Sequence, residues 1–116
     1  MALALNRFKT YTKQLTTSGQ TIYTAPTGYT GIILYAHITN YASSVTTLTM
    51  SHVRSSTTTQ IISGAEVPVN DAYLPLGGKL VLETSDYVVA DAGANSTLKI
   101  LISVLETENA SNYNSH

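Results

Sequence analysis

His37 and His52 are the internal side chains of this 116-residue chain with the widest chemical reach. Histidine serves as metal ligand, general base and proton switch near neutral pH. A structural or catalytic zinc needs three or four ligands, usually with two of them closely spaced. The chain has no His-x-His pair and no cysteine, so both histidines are expected to sit half-buried in a sheet, without a metal. Glu66, Asp71, Glu83, Asp86 and Asp91 offer carboxylates for acid–base work or calcium. They stand at turn-like positions, where aspartate is favoured for hydrogen-bonding nearby backbone, and no spaced set of calcium ligands is visible. Ser51, His52 and Asp71 are the residue types of a nucleophilic triad, but no Gly-x-Ser-x-Gly elbow accompanies them. Gly77-Gly78 leads into a strand-like run rather than a helix, so no helix N-terminus is offered to phosphate. No motif for an enzyme or a cofactor emerges, and neither is expected.

The tyrosines carry a different kind of chemistry. There are eight, beside one phenylalanine and no tryptophan. Tyrosine joins a large apolar body to a polar tip, which suits surfaces that become partly buried by a partner. Tyr29, Tyr41 and Tyr73 fall at expected turns; Phe8 and Tyr11 fall in the N-terminal segment. These five are the candidate contact residues. A sugar-binding platform is a weaker reading of them, since tryptophan is missing.

Composition narrows the field further. The length fits one domain, and 43% hydrophobic residues with 11% charged favour collapse over disorder. A net charge of −1 leaves no basic footprint for nucleic acid. Apolar Ile32–Ala36 is too short to span a bilayer, and Met1–Leu5 is shorter than a signal-peptide core. A surface rich in Thr, Ser and Tyr and poor in charge opposes association only weakly, which points to a surface that meets protein partners.

The elements that would position these residues are strands. Tyr73–Ala90 reads as the central unit: a lead-in, a Gly77-Gly78 break, a strand over Lys79–Glu83, a turn at Thr84-Ser85-Asp86 and a returning strand at Tyr87, the last two strands forming a hairpin. Ala25-Pro26-Thr27-Gly28 fits a type I turn. Gly31–Thr39 alternates Ile32, Leu34, Ala36 and Ile38 against Ile33, Tyr35, His37 and Thr39, and both sets are apolar enough to predict a strand covered on each face. Paired with Val45–Arg54 as a hairpin, it would set Ile38 against Leu48 and Ala36 against Met50. Thr97–Glu106 shows one clean face of Leu98, Ile100, Ile102 and Val104. Pro68 marks an edge segment. Eight or so short strands with turn signals between them predict an all-β fold, an antiparallel β-sandwich that is jelly-roll-like or immunoglobulin-like. Residues 1–19 read as an extended strand or N-terminal arm, 20–106 as the sandwich and 107–116 as a flexible tail.

The run Ile22-Tyr23-Thr24-Ala25-Pro26-Thr27-Gly28-Tyr29-Thr30-Gly31-Ile32-Ile33, the Gly77-Gly78-Lys79-Leu80 and Glu83-x-x-Asp86 spacing, and the ending Val104-Leu105-Glu106 resemble small β-sandwich virion proteins of tailed bacteriophages, including marine and cyanobacterial phages. The resemblance covers roughly residues 20–106 and rests on turn and core patterns. It implies a non-enzymatic structural subunit located in the virion and assembled in the host cytoplasm. The expected role is capsid decoration, cementing the head through subunit contacts. A head-fibre, neck or tail appendage that binds host glycans or another virion protein is the alternative. The partners it implies are the major capsid protein, other virion proteins and the chain itself as a homo-oligomer, with a trimer favoured; it implies no nucleic acid, membrane or cofactor.

Overall fold

The computed structural model describes residues 6–109. Within them the chain is an antiparallel β-sandwich. The first sheet runs β1 (Asn6–Gln14), β9 (Leu98–Glu108), β3 (Tyr29–Asn40), and then the short β6 (Ala72–Tyr73) and β7 (Leu80–Leu82), which share the far edge of β3. The second runs β2 (Gln20–Thr24), β8 (Tyr87–Ala92), β4 (Thr46–Arg54) and β5 (Thr57–Val67). Alternation drives this layering: Leu98, Ile100, Ile102 and Val104 of β9 all face inward, as expected, and meet Leu48, Met50, Val88 and Ala90 of the facing sheet in one core. Each such large aliphatic side chain, fully buried, contributes roughly 1.5–3 kcal/mol of transfer free energy.

Local chemistry departs from the simple reading at three places, each with a physical cause. β3 does not keep one parity. Its register with β9 shifts between Ile33 and Tyr35, so Leu34 sits in a bulge. Gly31 and Ile33 before it and Ala36 and Ile38 after it all face the core, and Tyr35 is exposed. The strand is thus covered on one face, not both. Second, β3 and β4 are not a hairpin. They lie in opposite sheets, so Ile38 and Leu48 belong to facing layers. The crossing is held by Asn40, whose buried Nδ2 donates to Ser44 O and Val67 O at 2.9 Å each while its Oδ1 accepts from Ala42 N.

Third, the expected central hairpin is a crossover. Leu80–Leu82 pairs with β3, whereas Tyr87–Ala92 pairs with β2 and β4. Glu83–Asp86 bridges the layers, with Ser85 at φ 75°. Ala25 clamps it: Ala25 N donates to Asp86 O, and Ser85 N donates to Ala25 O. The turn before β3 is displaced by one residue from expectation. Tyr29 N donates to Pro26 O and Gly28 has φ 84°, as a type II turn requires of its third residue.

Within the expected N-terminal arm, Asn6–Gln14 form a strand, and residues 1–5 lie outside the described residues. β1 pairs with β9 along nine consecutive residues, and Leu15 beyond it is fully buried. At the other end β9 continues through Glu108, and Asn109 is tied to Thr30 and Thr84. The remainder of the expected tail, residues 110–116, lies outside the described residues.

Candidate functional site: an apolar face on the first sheet

The chemistry-bearing residues are not assembled. His37 lies on the outer face of the first sheet, its Nδ1 3.3 Å from Thr39 Oγ1, while His52 lies in the second sheet, its Nε2 3.1 Å from Asp86 Oδ2. Ser51 and His52 are neighbours on one strand and point to opposite faces. Asp71 sits in the loop before β6, its carbonyl accepting from Asn40 N. Among the described residues no group of three or more His, Asp or Glu side chains is placed to hold a metal.

Two carboxylates are buried, and both are structural locks. Glu106 on β9 is 1% exposed. Tyr23 donates to it at 2.6 Å, Arg7 reaches it at 2.7 Å and Lys9 at 3.7 Å. Burial pushes its pKa up, but the Tyr23 and Arg7 hydrogen bonds and the charges of Lys9 and Arg7 outweigh that and hold it low. Tyr23 moves the other way: burial first, then the Glu106 hydrogen bond and charge, drive its hydroxyl well above the ordinary value. Gly31 lies beneath that ring, where a Cβ would come within 2.6 Å of the Tyr23 hydroxyl. A glycine in a strand interior here marks a close approach. Asp86, 3% exposed, accepts from Arg54 Nη2 at 2.7 Å, from Arg54 Nε and from Glu83 N. The Arg54 hydrogen bonds, helped by His52 and Glu83 N–H and opposed by burial, bring its pKa down to about 2. Tyr23, Gly31, Glu83, Asp86 and Glu106 are thus explained as fold determinants.

What remains is the outer face of the first sheet. The pairing registers place Phe8, Leu105, Ile32 and Val81 side by side across β1, β9, β3 and β7. The next rows are Thr10–Ser103–Tyr35 and Thr12–Leu101–His37. Phe8 is 75% exposed, and Val81, Tyr35 and Leu101 are also exposed. Leu74, exposed in the β6–β7 connection, lines a hollow with Tyr35 and Leu76 and extends the patch. Strands about 4.8 Å apart and residues rising about 3.4 Å make this face roughly 400 Å². The face mixes these apolar side chains with Thr10, Thr12, Ser103 and His37. A patch of this size, the largest a typical monomer carries, is often functional, which makes it the candidate contact surface.

Of the five expected contact residues, Phe8 lies on this face, at its β1 edge. Tyr41 is exposed at its far end, with Lys99 4.7 Å above its ring. Tyr11 is half-buried against Tyr23, with ring centroids 5.3 Å apart. Tyr29 is half-buried under the Arg7 guanidinium at 4.1 Å. Tyr73 is half-buried against the core. Sequence reasoning missed Ile32, Tyr35, Val81, Leu101 and Leu105. Their separate strands converge only through sheet order, and the bulge at Leu34 decides that Tyr35 faces out.

No protein-family model matches the chain, and no curated protein matches it in sequence. Among solved structures, the fold is similar to a chain of Bacillus endospore appendages, described as a novel family of disulfide-linked pili, at TM-score 0.46 and 9% identity over 91% of this chain and 88% of that one. It is also similar to a chain in the structure of infectious bursal disease virus Gt strain, at TM-score 0.44 and 12% identity over 93% of this chain and 33% of the viral one. At these scores the likenesses describe the β architecture and carry no functional argument.

Proposed function

We propose that this chain is a non-enzymatic structural subunit of a phage virion, and that it decorates the capsid by laying the outer face of its first sheet against neighbouring virion proteins. The four-strand apolar row Phe8–Leu105–Ile32–Val81 is the observation that carries this reading. Covering about 400 Å², some 60% of it apolar, contributes roughly 6 kcal/mol before the cost of ordering. A stable pairwise interface takes about 800 Å² from each partner, so this face serves best as one contact among several, the situation of a subunit seated on a shell. A protein that binds only the assembled shell stabilises it by mass action. The test is quantitative mass spectrometry of gradient-purified particles from the phage that encodes this chain. Stoichiometric copies are expected, with loss of copies for the double variant Phe8→Ser, Val81→Ser. A wild-type chain abundant in the lysate and absent from particles contradicts the reading.

The appendage alternative has one observation of its own. The Tyr35 and His37 rings stack 6.0 Å apart at 19° beside a hollow lined by Thr12, Thr39, Lys99 and Leu101. An aromatic surface beside hydroxyls suits a sugar ring. A glycan array separates the two readings: hits abolished by Tyr35→Ala favour recognition, and a blank array leaves decoration.

A further inference from the structure

Among the described residues no strand pairs with the outer edge of β1, so the first sheet has an open edge as well as an apolar face, and this edge differs from the other edges of the sandwich. β2 has five residues and a register break between Thr21 and Tyr23. β5 is interrupted by two register shifts, by Gly64 at φ 63° and by Pro68 just beyond its end. The far edge of the first sheet is split into strands of two and three residues. Short strands, bulges and proline are the ordinary means of blunting an edge. β1 has none of these three and carries instead the charged form of edge protection, Arg7, Lys9 and Lys13, which turns away a neutral or basic strand. Its nine residues pair with β9 in unbroken register, without proline or glycine.

The hydrogen-bond phase of that edge is fixed. Leu15 N donates to Leu98 O at 2.9 Å, and this pair continues the β1–β9 register. In an antiparallel ladder only alternate residues turn their N–H and C=O toward a given neighbour. Arg7, Lys9, Tyr11 and Lys13 therefore bond β9, and Asn6, Phe8, Thr10, Thr12 and Gln14 turn their backbone groups to the open side. The side chains beside that open ladder have one sign. Arg7, Lys9 and Lys13 share the face opposite to Phe8, and only Glu106 offsets them. Lys9 and Lys13 are exposed.

We infer that β1 accepts an added antiparallel strand from another protein, one carrying carboxylates at alternate positions opposite Arg7, Lys9 and Lys13 and an apolar residue opposite Phe8. Such addition uses main-chain bonds for affinity and alternate side chains for specificity. The carboxylates fall on the pairs that are not hydrogen-bonded, where side chains approach most closely. A second copy of this chain fits poorly in the registers that overlap most of β1. Centred on Thr10, its β1 sets Arg7 against Lys13; centred on Tyr11, it sets Lys9 against Lys13. Like charges directly opposed are destabilising. The inference goes beyond the apolar face, because the edge groups lie at the side of the sheet and a face contact leaves them free.

The test uses the isotope-labelled full chain and two nine-residue peptides, one alternating Glu with Val and Thr, the other with Lys in place of Glu. The Glu peptide should shift the amide signals of Phe8, Thr10 and Thr12 and slow their hydrogen exchange at least tenfold, with binding that weakens as salt rises. Thr10→Pro removes an outward N–H and leaves the β9 ladder intact, so the thermal midpoint should hold within a few degrees while binding is lost. Should that variant misfold, Lys13→Glu provides the second reading, with at least tenfold weaker Glu-peptide binding. Equal response to the two peptides, no response at millimolar peptide, or concentration-dependent protection of these amides in the free protein, which would mean a second copy, overturns the inference. Val81→Ser with Leu101→Ser, on the apolar face but outside β1, should weaken particle binding and leave the peptide response unchanged, so failure here and failure of the decoration reading are told apart.

Discussion

The two sheets have similar interiors and different exteriors. Each buries one carboxylate against cations on a neighbouring strand, Glu106 in the first and Asp86 in the second. Outside, the second sheet presents rows such as Thr21–Val89–Ser51–Gln60 and Thr24–Tyr87–Val53–Thr58. Val53 and Ser51 there are buried, and among the described residues no exposed large apolar side chain lies on its strands. The first sheet exposes Phe8, Tyr35, Val81 and Leu101. Folding alone gives no reason for that difference, since both interiors are already satisfied. The exposed apolar row is the feature on which the proposed decoration role rests.

The comparison breaks most visibly at the first lock. Glu106→Ala strands the Tyr23 hydroxyl and Arg7 and should cost about 3 kcal/mol, read by denaturant unfolding. Gly31→Ala, pressing on the same tyrosine, should cost about 1–3 kcal/mol, and pairing it with Tyr23→Leu should recover part of that loss. The locks should also differ in pH. Asp86 has a folded pKa of about 2 against an ordinary 3.8, so its stabilisation is complete above about pH 4 and fades as the pH falls toward 2. That loss is on the order of 1–2 kcal/mol, and Asp86→Asn should flatten most of this limb. Tyr23 is raised instead. Its stabilisation is present below its ordinary value near 10 and fades above it. Tyr23→Phe should remove that alkaline limb and, by taking away a hydrogen bond that holds Glu106 low, shrink the Glu106 share of the acid limb while leaving the Asp86 share in place. The smallest effect on stability belongs to the outer faces. Phe8→Ser with Val81→Ser should change unfolding free energy by less than about 1 kcal/mol while weakening particle binding at least tenfold. Thr21→Ser with Gln60→Ser on the second sheet should change neither.

Much of the architecture was legible from period-two alternation. The inward set Leu98, Ile100, Ile102 and Val104 is where the pattern puts it. Layer assignment was not legible. Leu82 and Val88 both read as core on either side of a polar turn, and only the burial of Asp86 against β4 shows that the chain changes sheets there. The parity of β3 was hidden for a similar reason, since Ile32, Ile33 and Leu34 are all apolar and nothing local marks the bulge. The motif residues behind the phage resemblance prove to be the locks themselves: Tyr23, Gly31 and Glu106 meet in one cluster, and Glu83 N–H caps Asp86. That explains why they indicate a fold more strongly than a role. Of the contact face, Phe8 was legible as an apolar residue in a polar strand, while its neighbours come from strands distant in sequence.

The most direct measurement is backbone hydrogen exchange of the subunit, free and bound to particles, resolved by strand. Protection gained on binding should concentrate on β1, β9, β3 and β7, with β2, β8, β4 and β5 unchanged. Protection concentrated on the second sheet, or no binding to particles at all, would contradict the assignment of the apolar face as the surface through which this protein assembles.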